Sequence, residues 1–158
     1  MRELLFLLFF LPLLSSGQNA ANNSVVVTND NIKTEWQHVQ SVEGVLFYVK
    51  KADCNWPQDG IYQEMILIKV VNTTEYDLSI SWDILQWYDG TLWTRLPVRP
   101  ENKHQFVLKG GEMLEGTCER TNLYYSSLTV FSRFLNYEDK PEMTKFELSN
   151  INISRYEK

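Results

Sequence analysis

Tyr76, Leu78, Ile80, Trp82 and Ile84 occupy every second position of the chain, and Asp77, Ser79, Ser81 and Asp83 lie between them. A period of two places one set of side chains on each face of a strand, whereas a helix would scatter the apolar set around its axis. The run therefore predicts a strand with one buried and one wet face. It continues as DILQWYDGTLWTRL, in which Asp89 and Gly90 form the dipeptide that supplies positive φ to a two-residue type I′ hairpin. That turn would set Tyr88 opposite Thr91 and Trp87 opposite Leu92.

Other segments carry the same signature. Val45, Phe47 and Val49 alternate with Leu46 and Tyr48, and the turn residues Asn55, Pro57, Asp59 and Gly60 follow. QEMILIKVVN is apolar on both faces and reads as a central strand. HQFVLK, the turn at Gly110 and Gly111, and EMLEGTCE come next. LYYSSLTVFSRFL reads as one strand with Leu128, Val130 and Phe134 on a face. In TKFELSNINIS, Phe146 and Leu148 are out of register with Ile151 and Ile153, which predicts a bulge near Asn150. About eight strands with short turns and no amphipathic helix predict an all-β fold, an antiparallel β-sandwich of immunoglobulin-like type, with a partly open barrel as the rival. Residues 34–158 are expected to form this single domain. Residues 18–33, rich in Asn, Ala and Ser, are expected to be a flexible lead-in with at most one short strand at Val25 to Val27.

Leu4 to Leu14 form an apolar run, broken by Pro12 and followed by Ser15, Ser16 and Gly17. This is the pattern of a signal peptide over residues 1–17, and it is too short for a membrane span. No later stretch is long and uncharged enough to be a transmembrane anchor. Export would take the chain to the periplasm, the cell surface or the extracellular medium, where thiols oxidise. Two cysteines allow one intramolecular pairing, so a disulfide between Cys54 and Cys118 is expected over free thiols, a metal site or a redox pair; neither has a CxxC partner. The formal charge of -5 offers no basic stripe, with Lys50 and Lys51 the sole adjacent cations, so nucleic acid is excluded as a partner.

Catalytic chemistry finds little support. The two histidines, His38 and His104, sit in no recognised motif and are read as solvent-facing or locally hydrogen-bonded. No metal or cofactor site is expected. Glu138 with Asp139, or Glu112 with Glu115, could supply the two acids of a glycosidase, but such pairs are ordinarily solvated. Sequons begin at Asn22, Asn72 and Asn152 and have meaning only where N-linked glycosylation exists.

The aromatic residues say more. Trp82 belongs to the core face. At the hairpin tip Trp87 and Leu92 project to one side, Tyr88 and Thr91 to the other, with Trp93 on that second side opposite Gln86. Both sides can hardly be buried, so Trp87, Tyr88 and Trp93 are the candidate binding surface, for a protein anchor or a stacked sugar.

LPLLSSGQN, GVLFYVKKADCN, GIYQEMILIKVVNTT, LQWYDG, FVLKGGEMLEGTCE and LTVFSRFLN together resemble small uncharacterised secreted β-sandwich proteins of Bacteroidota-type bacteria. The resemblance implies export and cysteines at these positions, and carries over no catalytic residue. The resulting expectation is a non-enzymatic secreted protein acting through its surface on a protein or envelope partner. A carbohydrate-binding module using the 86–93 hairpin is the alternative, and a hydrolase the third.

Overall fold

The computed structural model describes residues 23–99 and 102–157; the signal segment 1–17, most of the lead-in before Val25 and the sequon at Asn22 lie outside them. Ten strands run as β1 (Val25–Thr28), β2 (Gln37–Val42), β3 (Val45–Trp56), β4 (Ile61–Asn72), β5 (Leu78–Tyr88), β6 (Thr91–Leu92), β7 (Lys103–Leu108), β8 (Met113–Glu115), β9 (Thr129–Phe134) and β10 (Met143–Arg155), with a one-turn helix α1 (Tyr125–Leu128) before β9. They form two antiparallel sheets. One is β1-β10-β5, with β7 and β6 sharing the far side of β5; the other is β2-β3-β4, with β8 and β9 sharing the far side of β4. No strand pairing among the described residues joins the sheets, so the fold is a sandwich and not a partly open barrel.

The alternation in β5 does what its period dictates. Leu78, Ile80, Trp82 and Ile84 are buried between the sheets, where Trp82 meets Phe47 of the facing sheet and Phe106 of β7 edge-on, at 5.9 and 5.0 Å between ring centroids. Tyr76 departs from the pattern. It precedes the strand, is half exposed, and carries the Arg155 guanidinium 3.6 Å above its ring. Ile66, Ile68 and Val70 of β4 face the same core, while Met65 and Leu67 point outward into a second cluster with Cys54, Trp56, Cys118 and Tyr125. That outer cluster explains why β4 is apolar on both faces. The disulfide Cys54–Cys118 closes it, with Cα atoms 5.2 Å apart.

One turn and one bulge follow the sequence reading. Asp89 and Gly90 take φ of 47° and 76°, and Tyr88 pairs with Thr91 and Trp87 with Leu92. In β10 the pairing slips between Ser149 and Asn152, with Asn150 left-handed at φ 53°.

Three expectations need correction. The sandwich starts at Val25 and not at residue 34: β1 pairs with β10, Val25 and Val27 are buried, and Asn29 Nδ2 donates to the Met143 carbonyl at 2.8 Å. Without β1 the edge of β10 would stand open. LYYSSLTVFSRFL is not one strand, because its first half turns through α1 and β9 begins at Thr129. Ser132 is then an extra residue in the β9 ladder, since Phe131 faces Met65 but Arg133 faces Glu64. The slip moves Phe134 to the side of Phe131 and away from Leu128 and Val130.

Asn72, the head of a sequon, is fully buried. Its Nδ2 donates to the carbonyls of Tyr76 at 2.7 Å and Lys109 at 2.9 Å, and its Oδ1 accepts from the Thr74 backbone N–H at 2.9 Å. This amide ties the β4–β5 turn to the β7–β8 turn, a role that a glycan on Nδ2 would abolish. Asn152, by contrast, is exposed.

Candidate functional site

Where the end of β5 meets β9, Tyr88, Trp93, Phe131, Phe134, Lys140 and Pro141 line a cleft of about 220 Å³. Tyr88 comes from the hairpin arm and is buried, its ring stacked on Phe131 at 6.1 Å and its hydroxyl donating to the Phe131 carbonyl at 2.7 Å. Burial pushes the phenol pKa far above the usual tyrosine value, so the group remains a donor at ordinary pH. Tyr88 thereby clamps one sheet to the other. Trp93 rises beside it as the outer wall, edge-on to Tyr88 at 5.8 Å and 67% exposed. Phe134 lies 4.9 Å from Phe131 and leads to exposed Tyr137.

Of the three aromatic residues expected at one surface, the structure brings Tyr88 and Trp93 to the cleft and separates Trp87. Alternation along β5 sends Trp87 to the outer face of its sheet, where Lys145 Nζ sits 3.7 Å over the ring. Tyr88 is the floor of the site and not a free surface. Phe131, Phe134, Lys140 and Pro141 were not expected there. Phe131 and Phe134 are three apart, which in a regular strand puts them on opposite faces, and the extra residue Ser132 is what unites them.

The backbone that carries Trp93 is held firmly. The Trp93 N–H donates to the Gln86 carbonyl at 2.8 Å. The buried Thr94 hydroxyl accepts from the Gln86 N–H at 3.0 Å and donates to the Ile84 carbonyl at 3.3 Å. On the far side of Trp93, a second cleft of about 270 Å³ is lined by Thr94, Arg95, Arg99 and Asn102.

The titratable groups are employed otherwise. His38 is exposed, bonded to Ser41 at 3.0 Å and edge-on to Tyr48. His104 is buried on β7, with Nδ1 3.0 Å from Ser127 Oγ on α1. Asp83 is close enough to act on it electrostatically, but its carboxylate accepts from Asn150 Nδ2 at 2.7 Å. Ser127, His104 and Asp83 are the types of a hydrolytic triad without its relay: no hydrogen bond links Asp83 to the imidazole. The Ser127–His104 bond pins α1 to β7. Among the acids, Glu112 accepts from the Lys109 N–H at 2.7 Å, Glu115 pairs with Lys69 at 3.5 Å, and Glu138 and Asp139 are exposed. Among the described residues no group of three His, Cys, Asp or Glu side chains could hold a metal ion, and no helix is long and apolar enough to cross a membrane.

Burial lowers the His104 pKa below the ordinary histidine value, and the Asp83 carboxylate opposes that shift. The native state thus favours neutral imidazole, while the unfolded chain takes up a proton near pH 6.5. The stability His104 supplies is complete above that pH and declines as pH falls toward the lowered native value. Melting temperature should drop more steeply between about pH 7.5 and about pH 5.5 in the wild type than in His104→Asn; equal slopes would reject this linkage.

Comparison with protein-family models, curated proteins and solved structures finds no match to this chain.

Proposed function

We propose that the protein is an exported, non-enzymatic interaction module that engages a partner protein of the envelope or the extracellular space through the cleft at Trp93. The observation that carries this reading is the exposed Trp93 ring standing beside a ready-made apolar cleft. A large ring already fixed by its backbone loses little entropy on binding, which is why tryptophan dominates binding energy at interfaces. Export is supported by the leader-like segment at residues 4–14 and by a disulfide, which persists in oxidising compartments. The carbohydrate reading retains one favourable observation, the Trp93 ring adjoining Arg95 and Asn102, since a stacking face next to polar donors suits a sugar.

Trp93→Ala tests the reading. The side chain is mostly outside the core, so melting temperature should change little, while affinity for a purified partner recovered from the envelope fraction should fall by roughly 30-fold or more. Partner binding unaffected by this substitution would overturn the proposal, as would turnover of a defined substrate that is lost in His38→Ala or His104→Ala. A saturable tryptophan-fluorescence response to a glycan, lost in Trp93→Ala, would favour the carbohydrate reading instead.

A further inference from the structure

We propose that the cleft takes an aromatic or branched aliphatic side chain from a partner polypeptide, and that acidic residues flank this anchor in the partner's sequence. The proposal rests on the protein-interaction reading and names the chemistry of the segment recognised.

The anchor follows from the lining. Rings and aliphatic carbons of Tyr88, Trp93, Phe131, Phe134 and Pro141 make up the walls, and the one polar group on the floor, the Tyr88 hydroxyl, is already committed to the Phe131 carbonyl. A sugar placed inside would leave its hydroxyls without partners, which is costly in a desolvated site. An apolar side chain has no such demand. An apolar cavity of about 150 Å³ accommodates benzene, so 220 Å³ is room for a single ring or branched chain.

The acidic flanks follow from the rim. Lys140 lines one side of the cleft, and Arg95 lies across the Trp93 wall in the adjoining cleft; both are exposed. Neither makes an ion pair among the described residues, in contrast to Arg120 with Asp59 or Arg133 with Glu142. Glu138 and Asp139 precede Lys140 on its loop but line neither cleft. The chain as a whole carries -5, yet charges farther than about 8 Å are largely screened at physiological ionic strength, so the rim is set by the charged side chains that line the two clefts, and among the described residues these are Lys140, Arg95 and Arg99 with no acid among them. Rim charges of this kind select partners and speed their encounter.

The test uses the purified disulfide-bonded protein and fluorescein-labelled heptapeptides with a central phenylalanine flanked by aspartates, read by fluorescence anisotropy. Three controls replace the aspartates by asparagines, the aspartates by lysines, or the phenylalanine by glycine. The aspartate peptide should bind most tightly, roughly tenfold better than the lysine peptide, and lose this margin at high salt. The glycine peptide should not bind. Trp93→Ala should weaken binding roughly 30-fold, and Arg95→Glu should invert the preference between aspartate and lysine peptides. If the phenylalanine peptides bind equally whatever their charge, the acidic selectivity is overturned while the interaction reading stands. If no peptide binds, the anchor proposal fails. A Trp93-dependent glycan response, or Trp93-dependent self-association in sedimentation, would overturn both this occupant and its parent reading.

Discussion

Gly116→Ala should keep most of the chain from reaching its native fold, or lower the melting temperature of what does fold by more than roughly 10 °C. Gly116 lies where the chain leaves β8 and yields the flank of β4 to β9, and its N–H donates to the Ile68 carbonyl at 2.8 Å. A Cβ there would lie 2.1 Å from the Leu128 carbonyl oxygen and 3.0 Å from its carbon. Both are backbone atoms, so no rotamer change relieves the overlap. Two strands must share one neighbour within a hydrogen-bonded ladder, and separating them by even an ångström breaks the pairing of β9 with β4. Gly60→Ala provides the control. Its φ of 66° is left-handed, but no atom lies within 4 Å of an added Cβ, so the cost should be about 1–2 kcal/mol from conformation alone. If the two variants melt alike, the close approach at Gly116 is not what makes that glycine necessary.

Replacing both Cys54 and Cys118 by alanine should destabilise the protein by about 4 kcal/mol. The bond closes a loop with a sequence separation of 64, and the unfolded chain gains most of that freedom back when the bond is absent. Packing adds to the effect, because Cys54 is fully buried against Met65 and Leu67 under Trp56 and Tyr125. For a domain of this size the change corresponds to a fall of roughly 10 °C in melting temperature. The same fall should appear when the wild type is melted under reducing conditions. An unchanged melt in both experiments would mean that the outer cluster holds the 116–124 loop without the covalent link.

The parts of this fold that could be read from the sequence are those whose cause is local. The β5 alternation, the Asp89-Gly90 turn and the phase shift at Asn150 each depend on a few adjacent residues and the geometry of the backbone. The cysteine pairing was legible for a different reason, since two residues admit a single intramolecular bond. What was hidden depends on distant partners. Val25 to Val27 reads at most as a short strand within a polar lead-in, and what joins it to the sandwich is the ladder that β10 supplies more than a hundred residues later. Ser132 carries no mark of a bulge, and without that bulge Phe131 and Phe134 cannot be seen to share a side. The aromatic residues of the hairpin are visible in the sequence, but which of its rings is free is decided by Phe131, 43 residues from Tyr88. Four of the six residues that line the cleft therefore have no local pattern connecting them to the hairpin.

The Thr94 hydroxyl has a consequence for how copies of this protein coexist at high concentration. Between the reach of β7, whose first residue faces Asp83, and that of β6, whose last residue faces Trp87, β5 is paired with β10 on one side and has no strand on the other among the described residues. An open stretch of this kind is a template on which a second molecule can add its own strand, the first step toward aggregation. One side-chain oxygen occupies the Gln86 donor and the Ile84 acceptor, and the Trp93 N–H occupies the Gln86 acceptor. The vacancy is filled from within the molecule by three hydrogen bonds and no additional strand, so the segment that presents Trp93 to a partner also denies β5 to a sibling chain.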